Sequence, residues 1–109
     1  MAVYIQPQLM IPATELIAAM TGSSVAIGTL VETPIKIILD NQSTSSVVLS
    51  ISLNGGETKI PWKTFAAEEA LVLDDDIYSF PRGTIFYGNG AATGNFSISY
   101  TYVNFPGVT

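Results

Sequence analysis

The chain is 109 residues long, 48% hydrophobic and only 12% charged, with a net charge of −5 at neutral pH. Its four basic residues, Lys36, Lys59, Lys63 and Arg82, are scattered, so the basic stripe that displaces counterions from nucleic acid is missing and no DNA or RNA partner is expected. Cysteine and histidine are absent, which removes disulfides, thiol nucleophiles, thiolate metal sites, imidazole bases and the histidine-dependent triads.

The length accommodates one domain with one core. A charged fraction about half the usual ~25%, with no apolar run near the ~20 residues a spanning helix needs, points to a β-protein faced with Ser, Thr and Asn. Such a surface also suits a subunit that covers its exterior with neighbours. Met1-Ala2-Val3-Tyr4 lacks a positive leader region, so synthesis in a cytoplasm is expected, with no membrane partner.

In chain order, Met1 to Pro12 carries no charge and holds two prolines; Val3 and Ile5 alternate with Ala2, Tyr4 and Gln6. A first edge strand or an extended arm fits equally well. Thr14 to Gly22 is the one helix-like piece, with Thr14 as a cap, Glu15 near the N-terminus and Gly22 as a stop. At under two turns it has no stability of its own, and one helical turn or an extended connection is expected.

Ser24 to Glu32 reads as a strand, with Val25, Ile27 and Thr29 opposite Ala26, Gly28 and Leu30. The stretch from Ile35 to Gly56 has the strongest pattern. Ile35, Ile37 and Leu39 share one side, then Val47, Leu49, Ile51 and Leu53 share another, around the polar turn Asn41 to Ser46. A period of two is the mark of a half-buried strand, and the polar turn predicts an antiparallel hairpin with one apolar face.

Pro61, within Thr58 to Lys63, argues for an edge strand or a bulge there, with Trp62 lining the core. Phe65 to Asp74 fits helix or strand; a short strand over Ala70-Leu71-Val72-Leu73 agrees better with its neighbours. A break at Pro81-Arg82-Gly83 precedes a short strand from Thr84 to Tyr87, and Gly88 to Gly94 reads as a flexible loop. From Asn95 to Val103 the alternation is cleanest, with Phe96, Ile98, Tyr100 and Tyr102 on one face. Eight or so short strands at about ten-residue spacing predict an all-β antiparallel sandwich or jelly roll with an extended N-terminal segment.

Candidate chemistry is thin. Asp74-Asp75-Asp76 offers carboxylates to calcium, but six to eight oxygens are needed and adjacent residues of an extended segment point apart; a solvated turn is expected. Glu57, Glu68, Glu69 and the aspartates are the only acid–base candidates, without a pattern that raises a pKa. Gly88 to Gly94 lacks the Lys-Ser/Thr and the helix of a phosphate loop. Tyr4, Trp62, Tyr78, Tyr87, Tyr100 and Tyr102 have the ring faces to stack on sugars, but alternating strand aromatics read first as core. No catalytic residue, cofactor or metal ligand is assigned.

Five stretches together carry a likeness: Ala13 to Ala19, Ile37 to Thr44, Val47 to Gly55, Phe65 to Leu73 and Arg82 to Gly88. Over roughly Ala13 to Val103 this layout resembles the small β-sandwich structural proteins of tailed-bacteriophage virions, including head-decoration (cement) subunits. The resemblance implies a non-enzymatic virion subunit, a trimer or ring of identical copies seated on a major capsid or other virion protein. Tail, collar and fibre-base positions follow from the same logic. The chain order itself divides into an N-terminal arm or edge strand over residues 1–12, a sandwich over 13–103 and a tail over 104–109. The rival is a carbohydrate-binding adhesion module, which needs aromatics converging on one exposed face.

Overall fold

A computed structural model describes residues 14–74 and 80–102. They form eight antiparallel strands in two four-stranded sheets, and no helix: β1 (Thr14–Ala19), β2 (Ser24–Thr29), β3 (Lys36–Asn41), β4 (Val47–Ser52), β5 (Ile60–Phe65), β6 (Ala70–Leu73), β7 (Ile85–Gly90) and β8 (Asn95–Thr101). One sheet runs β1-β8-β3-β6 and the other β2-β7-β4-β5. The pairings are nested: β1 with β8, β2 with β7, β3 with β6 and β4 with β5, each antiparallel. Every connection except β4–β5 therefore crosses from one sheet to the other.

The period of two explains why these segments form strands and which side faces in. Ile37 and Leu39 of β3, Val47, Leu49 and Ile51 of β4, Phe86 of β7, and Phe96, Ile98 and Tyr100 of β8 are all buried between the sheets. Each such side chain stabilises the fold by about 1.5–3 kcal/mol relative to exposure. Phe65 and Phe96 meet across the gap with ring centroids 5.1 Å apart, and Trp62, Phe80 and Phe86 form an edge-to-face series at 5.5 and 5.3 Å.

Three expectations are corrected. The Ile35–Gly56 stretch is not a hairpin: β3 and β4 lie in opposite sheets. Its apolar sides were read correctly for Ile37, Leu39, Val47, Leu49 and Ile51, but they face each other across the core. The link at 42–46 is an arch, held by Asn41. Its Nδ2 donates to the carbonyls of Ser45 and Ala66 at 3.0 and 2.9 Å, and its Oδ1 accepts from the Ser43 amide at 3.0 Å. That side chain holds the turn open across the sandwich rather than closing it onto an adjacent strand.

Thr14–Ala19 is a strand rather than a helical turn, since its half-buried Leu16 and Ala18 alternate with exposed Glu15 and Ile17 once β8 supplies a ladder. Nor is Gly88 to Gly94 a loop throughout, because β7 continues through Gly90. A Cβ at Gly88 would lie 3.0 Å from the Met20 side chain, and one at Gly90 would lie 2.7 Å from Val47 Cγ2 and 2.8 Å from the Ser46 carbonyl. Glycine inside this strand allows close packing.

Smaller differences have local causes. A register shift between Ala26 and Gly28 ends the simple alternation of β2, so Thr29 is exposed and Leu30 buried. Pro61 has both features expected of it: β5 is an edge strand, and its pairing with β4 is irregular between Leu49 and Ser50. The expected N-terminal arm or edge strand, the C-terminal tail, and the positions of Tyr4, Asp75, Asp76 and Tyr78 lie outside the described residues.

Candidate interaction surface

The antiparallel order sends the connections to two ends of the sandwich with opposite character. Residues 20–23, 42–46, 66–69 and 91–94 gather at one end. This end is built of small and polar residues stitched together by backbone bonds, such as Gly22 N–H to the Gly90 carbonyl at 2.7 Å and Glu68 N–H to the Ser43 carbonyl at 3.1 Å. Here Glu69 Oε1 accepts the Ala66 amide at 2.8 Å and Oε2 meets Lys63 Nζ at 3.3 Å. The amide bond first, and then Lys63, hold the Glu69 carboxyl below its ordinary value of 4.5, opposite to what a general acid needs.

Residues 30–35 and 53–59 connect strands at the other end, and 80–84 lead into β7 there. Among the described residues, four of the seven exposed large apolar side chains, Val31, Ile35, Leu53 and Ile60, lie on these connections or beside them. Tyr100 Oη accepts the Val31 amide at 3.2 Å and so anchors one of these loops to the core. Ser52 Oγ anchors a second, accepting the Gly56 amide at 2.8 Å. Apolar side chains held outward on pinned loops are suited to contact another surface.

The sandwich faces are mostly neutral. On the β1-β8-β3-β6 face the outward row Glu15, Ser99, Ile38 and Val72 lies beside Ile17, Ser97, Asp40 and Ala70. A hollow of about 190 Å³ there is lined by Lys36, Ile38, Ser99, Tyr100 and Thr101, smaller than the usual small-molecule site of about 300–1,000 Å³. On the opposite face Lys59 Nζ sits 4.4 Å from the centroid of Tyr87 and covers that ring.

Among the described residues the sugar-stacking candidates do not converge. Tyr100 is buried, Trp62 is half-buried against Phe80, Tyr102 is half-buried beside Tyr100, and Tyr87 is capped by Lys59. Asp74 is exposed at the end of β6, and Glu57 and Glu68 are exposed in separate connections. Among the described residues no three carboxylates gather as a cation site. The apolar end itself was missed by sequence reading, because its residues come from two connections whose shared direction only the strand order reveals. No family model matches the chain, and no curated protein and no solved structure matches it either.

Proposed function

We propose that this chain is a non-enzymatic structural subunit of a bacteriophage virion, a capsid decoration or cement protein that works through contacts with its own copies and with an underlying virion protein. One observation carries the reading: a hydrogen-bonded, small-residue end stands opposite an end where Val31, Ile35, Leu53 and Ile60 are exposed. A subunit that binds a shell by one end and presents the other to solvent needs such polarity. The neutral Ser/Thr-rich faces support the same reading, since they carry little charge to desolvate when copies pack side by side. The nested strand order supports assigning the sandwich to the jelly-roll type.

Closed cyclic assembly, a trimer or ring, is the natural state for identical patches. Light scattering on the purified protein over a range of concentrations tests this. The expected result is a mass of three or more chains that persists on dilution. A monomer at every concentration, together with binding on a glycan array, would replace this reading with an adhesion module. The dispersal of Trp62, Tyr87 and Tyr100 speaks against that outcome.

A further inference from the structure

We propose that β1 is a self-pairing edge, through which two copies of the chain join antiparallel about a twofold axis. The proposal rests on the reading of the chain as a self-assembling subunit and adds a contact that joins copies in pairs, so that a trimer or ring carrying it is doubled into an even-numbered dihedral assembly. Four strands stand at sheet edges among the described residues: β1, β6, β2 and β5. Three carry features that discourage pairing. β5 has Pro61 and an irregular register, β2 has a register shift at Ala26–Gly28, and β6 is only four residues long. β1 has none of these: six residues in unbroken register with β8, from Thr14 opposite Tyr100 to Ala19 opposite Asn95.

The ladder identifies the groups of β1 that have no partner among the described residues. Met20 N–H donates to the Gly94 carbonyl, continuing the β1–β8 register by one pair, and Gln42 N–H donates to the Asn95 carbonyl, continuing β3–β8. Antiparallel bonding alternates along a strand. Asn95, Ser97 and Ser99 therefore bond to β3, while Phe96, Ile98 and Tyr100 bond to Ala18, Leu16 and Thr14. The N–H and C=O groups of Glu15, Ile17 and Ala19 are left pointing away from β8, at the open edge.

One register satisfies all of them. Centred on Ile17, a second β1 places Ile17 opposite its own copy and Glu15 opposite the partner's Ala19, so every open-edge group finds a partner. Facing pairs in that register share a side of the sheet. On the inner side the larger Leu16 meets the smaller Ala18, and on the outer side Ile17, half exposed at 48%, covers its twin. Glu15, the only charge on β1, never faces another Glu15. Its Oε2 accepts Ser97 Oγ at 2.7 Å and is drawn back from the edge.

The chain has no cysteine, so single introduced thiols report the contact cleanly. A hydrogen-bonded antiparallel pair has Cα atoms about 5.5 Å apart, within disulfide range. Ile17→Cys should oxidise to a covalent dimer under mild oxidant, while Glu15→Cys and Val72→Cys, both outward-facing on edge strands, should remain monomeric on non-reducing gels. Ile17→Pro, which removes an open-edge N–H without touching the β8 ladder, should halve the solution mass of the paired assembly, leaving a single trimer or ring, with an unchanged far-UV spectrum. Cross-linking shared by all three cysteine variants, or absent from Ile17→Cys, overturns the proposal. A specific Ile17→Cys dimer from a protein whose native mass is two chains would keep this contact and remove the trimer or ring.

Discussion

Asn41 shows how one polar side chain can decide a path through the fold. It is fully buried, and besides its side-chain bonds its own amide donates to the Glu69 carbonyl at 2.9 Å, so it ties the 42–46 arch to the 66–69 turn. Asn41→Ala would leave the Ser43 amide without its acceptor and take one of two donors from each of the Ser45 and Ala66 carbonyls, which keep Ser43 Oγ and the Glu69 amide. The expected loss is about 3 kcal/mol, read as a lowered urea midpoint; a loss below about 1 kcal/mol would mean that water takes the amide's place. In the sequence Asn41 is one more polar residue of a turn. Its burial, and hence its weight, depends on Ala66, which is 25 residues away.

At the scale of elements, strand identity and sidedness were legible and pairing was not. Val47, Leu49 and Ile51 point inward as their spacing requires, and so do Phe96, Ile98 and Tyr100. An alternating pattern states that a face is buried but not which strand lies beside it, and for that reason β3 and β4 read as neighbours in one sheet. The contact between elements that spacing could not reveal is Phe65 of β5 against Phe96 of β8, joining the two sheets near the small-residue end. A double-mutant cycle with Phe65→Leu and Phe96→Leu should give a coupling of about 0.5–1.5 kcal/mol. Strict additivity would show that the two sheets are stabilised independently at this point.

For the whole molecule, the nested order makes β1 and β8, at opposite ends of the described chain, direct partners. Only the β4–β5 pair joins consecutive strands. Pairings this distant must close long loops before they contribute, so folding in the range of milliseconds to seconds is expected by stopped-flow fluorescence of Trp62. A complete microsecond relaxation would contradict an all-or-none closure of the sandwich. The same order sorts the connections between the two ends and so creates the apolar end on which the proposed docking depends.

The sequence by itself determined an all-β chain of short strands, the inward residues of most of them, that the Pro61 strand is an edge or carries a bulge, and the lack of histidine and cysteine chemistry. These are local properties, set by side-chain period, by proline's missing N–H and by composition. Only the tertiary structure decided that β3 and β4 separate into different sheets, that Gly88 and Gly90 are strand residues pressed against Met20 and Val47, and that Val31, Ile35, Leu53 and Ile60 share one end. Each depends on which distant backbone supplies the ladder, and a pattern with a period of two carries no record of its partner.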